Sequence, residues 1–248
     1  MTTIACVSDL HEHLVDIPPC DLLLIAGDVS YAFKGDLRAK HAFLAGPFKD
    51  WLERVPAKEI VLVAGNHDQS IEAWGLPDGL RCHYLQDEGI ELFGLSLWGT
   101  PWQPWFYDWA FNAPRRDGEA FLAGKFDRIP AGTDIVVAHG PPRGYGDRTR
   151  RGEHVGSSAL TETLERVRPR LVVCGHIHEA YGRYRLGDTA IINASVVDAA
   201  YRPVRGSTSP HDEDEQRDDR QREENRMDDR AARDRDDEQH DPDDQPEH

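Results

Sequence analysis

The sequence predicts an α/β fold in which mixed β-sheets are covered by helices. Three observations carry that expectation. Five short apolar runs, many of their residues β-branched, show little polar alternation, which is how strands buried on both faces read. Segments with apolar residues at helical spacing lie between these runs. Two later stretches have the alternation and turn residues of hairpins.

Taken in order, "TIACVSD" leads to Asp9 and His11, and "DLLLIAGD" leads to Asp28. The stretch "GDLRAKHAFLAGPFKDWLERVPAKE" contains a helix, with Leu37, Phe43, Leu44, Phe48, Trp51 and Leu52 near helical spacing. "EIVLVAGNHD" leads to Asn66, His67 and Asp68. "LQDEGIELFGLSLWG" reads as a hairpin turning near Asp87–Gly89, and "RDGEAFLAGKF" as a short helix. "DIVVAHG" leads to His139. "GSSALTETLERVRPRL" starts on a serine cap, runs to Pro169 and offers Leu160, Leu164 and Val167 as its apolar face. "RLVVCGHIH" leads to His176 and His178, and "GRYRLGDTAIINAS" is a hairpin turning on Gly187–Asp188.

Composition divides the 248 residues at about residue 205. From Gly206 onward 18 Asp and Glu face seven Arg, so this segment carries −11 of the net −16. With one Met and no other large apolar residue, it cannot bury enough surface to offset its ordering entropy. Residues 1–205 are therefore expected to fold as one domain, and 206–248 to form a disordered acidic and arginine-rich tail, either simply solvated or an interaction arm. The body is mildly acidic with no basic stripe, which argues against a dedicated nucleic-acid surface. No signal peptide and no membrane-length apolar run is evident, so no membrane partner is expected. Cys6, Cys20, Cys82 and Cys174 lack disulfide or zinc-ribbon spacing; Cys6 and Cys174 read as packing residues, and a reducing cytoplasm fits.

The regular endings of the five runs carry the functional reading. One Asp after a strand is commonplace, often a helix cap. Five strand ends that all deliver Asp, Asn or His are hard to explain by capping. In layered α/β proteins the crevice beyond the carboxyl ends of the strands is where ligands bind. Such a polar cluster would be costly to bury without a cation, so a metal site is expected. Mixed oxygen and nitrogen donors suit Mn, Fe, Co or Zn better than Mg or Ca. The pair His176 and His178 alone is ambiguous: two imidazoles on one side of an extended strand end, or two ordinary loop histidines.

"SDLH", "GD", "GNHD", "HG" and "GHIH", in this order, resemble the five motifs of the calcineurin-like metallophosphoesterases. "WGTPWQPWFYDWAFN" and "HGPPRGYGDRTRRGEHVGSSAL" resemble the branch of metallophosphoesterase-domain-containing proteins related to the class III cyclic nucleotide phosphodiesterases. The resemblance implies a four-layer αββα sandwich of two mixed sheets and a centre of two divalent ions (Mn, Fe, Co or Zn). It assigns Asp9, His11 and His178 to one ion and Asn66, His139 and His176 to the other, with Asp28 bridging. It further implies a phosphodiesterase of small phosphoesters, cyclic nucleotides among the candidates, working by attack of a hydroxide that bridges the ions. Some members of the branch lack the first histidine of the last motif and are weakly active; His176 is present here.

The resemblance also places Asn66 and His67 at the substrate, with His67 at the leaving oxygen as catalytic residue; a structural loop histidine is the plain alternative. Asp68 or Asp36 is expected to orient it. Arg143 and His154 are further candidates for substrate contact. Trp98, Trp102, Trp105 and Trp109 either rim the site for a nucleobase or, as expected for most, pack a loop onto the sheet. "GDVSYAFKG" lacks the acid that phosphoprotein phosphatases place after "GD". A phosphomonoesterase or nucleotidase, and a weakly active nucleotide-binding protein, are the alternative readings; protein partners are not indicated.

Overall fold

The computed structural model describes residues 2–30 and 36–204. The expected domain boundary and the acidic segment 206–248 lie outside the described residues. Two sheets are present among the described residues. The first joins β1 (Ile4–Val7), β2 (Cys20–Ala26), β3 (Ala57–Val63) and the short β4 (His83–Tyr84), all parallel. The second contains β5 (Glu88–Leu92), β6 (Leu95–Thr100), β7 (Ile135–Ala138), β8 (Leu171–Cys174), β9 (Gly182–Leu186) and β10 (Thr189–Asn193) in the order β5-β6-β7-β8-β10-β9. Its central pairs are parallel and its edge strands antiparallel. A parallel bridge from Ser8 to Ser195 links the two sheets.

The apolar runs are continuous because each strand has a buried neighbour on both faces. In β2, Leu23 and Ile25 point to one core while Leu22, Leu24 and Ala26 point to another. In β3, Ile60 and Leu62 alternate in the same way with Val61 and Val63. The middle core lies between the sheets, where these side chains meet Ile135, Val137, Leu171, Val173 and Ile192. The outer face of the first sheet packs on Leu44, Phe48, Trp51, Leu52 and Ile71. The outer face of the second packs on Leu122, Phe126, Leu160 and Leu164. Three apolar interfaces thus separate four layers, with each fully buried large side chain contributing about 1.5–3 kcal/mol.

The helices are α1 (Leu37–Phe43), α2 (Lys49–Arg54), α3 (Gln69–Trp74), α4 (Gly118–Phe126) and α5 (Ser158–Val167). The expected first helix is split: Leu44–Phe48 forms a π-helical turn containing Pro47 between α1 and α2. Proline has no N–H to continue an α-helical ladder, and the wider turn absorbs the gap. Helix α5 begins on the Ser157 hydroxyl, which accepts from the Leu160 N–H at 3.2 Å, and stops before Pro169 as expected. The first hairpin does not turn at Asp87–Gly89. It turns at Phe93–Gly94, with φ of 53° and 73°, the paired positive values of a tight hairpin turn. The second hairpin turns at Gly187–Asp188 as read from sequence. Between Glu12 and Pro19 there is no helix. No helix among the described residues is long and apolar enough to cross a membrane.

Candidate metal centre

The carboxyl ends of β1, β2, β3, β7 and β8 deliver Asp9, Asp28, Asn66, His139 and His176 to one crevice. His11, His67 and His178 arrive from the adjoining loops. All of these except the partly exposed His176 are buried. Asp9, His11, Asp28 and His176 have φ of 55°, 43°, 54° and 68°, a left-handed conformation that non-glycine residues adopt at a cost. This corrects the simple picture of "GHIH" as an extended strand end. The strand stops at Cys174, His176 is left-handed, and His178 lies in a short 3₁₀ turn.

The donor set is mutually consistent. His139 Nδ1 lies 2.8 Å from the Ala26 carbonyl, His11 Nδ1 3.2 Å from that of Ser30, and His178 Nδ1 3.2 Å from that of Asp198. Each of these nitrogens must carry its proton, so the opposite Nε2 presents a lone pair to the crevice. Those lone pairs then face other acceptors. His11 Nε2 is 3.3 Å from His178 Nε2, which is 3.4 Å from Asp9 Oδ1. His139 Nε2 is 3.5 Å from Asp28 Oδ2 and 2.8 Å from Asn66 Oδ1, which is 2.6 Å from His176 Nδ1. Such contacts need either added protons on the imidazoles or a cation between them; one cation can serve several of these donors at once, and the residues therefore fit divalent metal. Asp9, His11 and His178 form one group able to hold an ion; Asp9, Asp28 and His139 form a second.

Electrostatics point the same way. Burial would raise the Asp9 carboxyl, but His178 and His139 overcome it and hold it at about 2. Burial opposes Asp28 likewise, and His139, His67 and His11 keep it well below the usual carboxylate range. Burial pushes His11 down to about 4 and His176 to about 3, leaving both imidazoles neutral and able to ligate. Burial also opposes the charged forms of His139 and His178, but Asp28 and Asp9 respectively draw protons onto them; a divalent ion would displace those protons.

His67 lines the cleft beside this cluster. Its backbone N–H donates to Asp28 Oδ1 at 2.7 Å, and its ring lies 4.3 Å from that of Trp109. Neither expected acid orients it. Asp36 caps α1 by accepting from the Arg38 N–H, and Asp68 accepts from the N–H groups of Ser30 and Gly65. The residue that does grip the His67 main chain is Lys40, whose buried Nζ donates to the His67 carbonyl at 2.9 Å and to Gln69 Oε1 at 2.7 Å. Arg143 and His154 do not line the cleft. The Arg143 guanidinium donates to the His154 carbonyl, and the His154 ring sits 2.7 Å from Asp147 Oδ1. His13 contacts the Tyr201 carbonyl, His41 packs on Trp74 and His83 pairs with Glu59.

The tryptophans divide evenly. Trp98 and Trp102 pack in the fold, Trp102 with its N–H on Asp87 and Lys125 over its ring. Trp105 and Trp109, with Phe106, form one wall of a cleft of about 370 Å³ whose floor includes Asp28, Asn66 and His67. Tyr201 faces the floor from another side and was not legible in the sequence. It follows the last motif by more than 20 residues, and nothing in "VVDAAYRPV" marks it.

An αββα sandwich with a buried carboxylate, amide and imidazole cluster at its strand ends is the architecture of a metallophosphoesterase. Residues 2–180 match the family model for calcineurin-like phosphoesterases, and the chain belongs to that family. It is 35% identical to metallophosphoesterase domain-containing protein 1 of Homo sapiens and of Mus musculus, over 82% of this chain and 68% of theirs. The fold is similar to that of phosphopantetheinyl hydrolase from Mycobacterium tuberculosis, with TM-score 0.54, 13% identity, and coverage of 86% and 96% of the two chains. Membership and the donor cluster together support a metal-dependent phosphoesterase.

Proposed function

We propose that this protein hydrolyses small phosphodiesters, cyclic nucleotides among them, with the phosphoryl group seated over Asp9, His11, Asp28, Asn66, His139, His176 and His178. The observation that carries the diester reading is the charge of the cleft. Among the described residues no Lys or Arg lines it, and Glu179 does. A phosphodiester brings one negative charge and a phosphomonoester up to two, so the side chains of this cleft favour the former. Its volume suits a ligand of mononucleotide size, and its aromatic wall suits a flat group.

Two divalent ions, of Mn, Fe, Co or Zn type, would supply charge neutralisation at the phosphoryl oxygens and a lowered pKa for water. The chain's own residues supply the rest. The backbone N–H of His176 fixes Asp9 by donating to its carboxylate at 3.0 Å. His67, kept neutral by burial, presents an N–H toward the leaving oxygen. Trp109 holds the plane of that ring, and Asn66 brings its amide to the same floor.

The test is metal-stripped protein reloaded with Mn, Fe, Co or Zn singly and assayed on bis-p-nitrophenyl phosphate beside p-nitrophenyl phosphate. Metal-dependent diester turnover, abolished in Asp28→Ala and His176→Ala, is expected. His67→Gln is expected to lose about 10²–10⁴-fold on an alkyl diester and far less on the nitrophenyl diester, whose leaving group needs no proton. Faster turnover of the monoester would replace this reading with a phosphomonoesterase.

A further inference from the structure

The turn after the last strand brings a side chain from outside the five motifs against the centre. Tyr201 has φ of 59°, a left-handed conformation that is costly for an aromatic residue, so something must hold it there. The Asp198 carboxylate does so with four donors. Its Oδ1 accepts from the backbone N–H groups of Ala200 and Arg202 at 2.8 and 3.0 Å. Its Oδ2 accepts from Arg202 Nε and Nη2 at 2.9 and 2.6 Å. The Asp198 carbonyl accepts from the Tyr201 N–H at 2.8 Å and also receives His178 Nδ1. The same peptide group thus fixes a candidate ligand and the tyrosine.

The result is an aromatic ring edge-on to three histidines of the centre. Ring centroids lie 4.9 Å from His11, 5.0 Å from His178 and 6.1 Å from His67. On the other flank, Phe106 stands 6.4 Å from His176, and Trp109 packs on His67. The floor therefore has an aromatic wall over each of its two halves. A phosphomonoester has one ester arm and needs one wall. A phosphodiester has two arms that leave phosphorus in different directions.

We propose that Tyr201, held by the Asp198–Arg202 ion pair, is a specificity-determining residue that receives the second ester arm of a phosphodiester. This rests on the phosphodiesterase reading. Tyr201 contacts substrate directly; Asp198 and Arg202 are positioning residues.

Metal-loaded full-length protein and its Tyr201→Ala, Tyr201→Phe, Arg202→Ala and double Tyr201→Ala/Arg202→Ala variants would be compared on bis-p-nitrophenyl and p-nitrophenyl phosphate. Metal content per chain and the melting curve would be recorded alongside. Tyr201→Ala is expected to lower the diester-to-monoester ratio of kcat/KM about 10-fold, chiefly through diester KM, as loss of one aromatic contact would. Tyr201→Phe should keep most of that ratio. Arg202→Ala should move it in the same direction by less, and the double variant should be no worse than Tyr201→Ala alone. Equal losses on both esters, an unchanged ratio, or loss of bound metal in Tyr201→Ala would overturn the proposal, since the ring would then only support the ligands. Wild-type turnover reads the phosphodiesterase assignment by itself: if the wild type lacks diester activity, that assignment has failed, and with it this one.

Discussion

At Gly175 a β-carbon would run into Ser8 Oγ and the Asp9 carboxylate, and at Gly65 into Asp28 Oδ1. The glycines that open "GHIH" and "GNHD" are there for close approach: backbone must pass within contact of the carboxylates that define the centre. Gly175→Ala is therefore expected to cost about 1–3 kcal/mol of stability from overpacking. It should also remove most of the rise in melting temperature that Mn or Zn gives the wild type, because Asp9 must move. A metal-dependent rise equal to the wild type's would contradict the contact. Residue by residue, the strand-end donors were legible because Asp, Asn and His at five apolar endings have few other uses. The left-handed backbone at Asp9, His11, Asp28 and His176 was not, since φ at these residues is imposed by the surrounding loops. Arg143 and His154 lie outside the residues that line the cleft. Their chemistry suits phosphate, but their hydrogen bonds to the His154 carbonyl and to Asp147 belong to their own loop.

Helix α1 is short, split from α2 by the π-helical turn at Pro47, yet it has a task that its apolar pattern conceals. It brings Lys40 under the "GNHD" loop, where the ammonium donates to the His67 carbonyl and Gln69 Oε1. A buried cation donating to these acceptors fixes the backbone that carries His67. Lys40→Met is expected to lower kcat about 10-fold on an alkyl diester and less on the nitrophenyl diester. That is the signature of His67→Gln in weaker form, because the ring remains but its backbone is released. Equal losses on both substrates would show Lys40 to be structural only. The helical spacing of this stretch marks only its apolar residues, and the tertiary packing alone singles out Lys40. The first hairpin was misread by the same kind of limit. Asp87–Gly89 has better turn residues than Phe93–Gly94, but Asp87 is engaged by Thr100, Trp102 and Lys125, which makes it a fixed point at the start of β5.

Over the whole molecule, the layer order was readable because the five strands that lead to the site are apolar on both faces. That double burial also sets how the protein should respond to alkali. Cys6 and Cys174 lie within the cores on either side of the second sheet, and Cys82 packs against the outer core of the first. No cysteine forms a disulfide. Burial raises the Cys6 and Cys82 thiols from 9.0 to about 12 and pushes Cys174 up as well. In the unfolded chain these thiols release their protons near pH 9, while in the folded chain they keep them. Between pH 9 and about 12 the native state therefore binds more protons than the unfolded state, and stability falls as pH rises. The contribution is fully present below pH 9 and is lost as pH climbs toward the folded values. Under reducing conditions the melting temperature should be level in this respect up to pH 9 and then decline. The decline should be shallower in Cys6→Ala and Cys174→Ala, compared at matched ionic strength. In the native protein at pH 8, a thiol reagent such as dithiobisnitrobenzoate should modify these three positions far more slowly than after denaturation. Rapid modification of all cysteines at pH 8 without unfolding would mean that the cores between the layers open to solvent, and the four-layer packing would have to be revised at those strands.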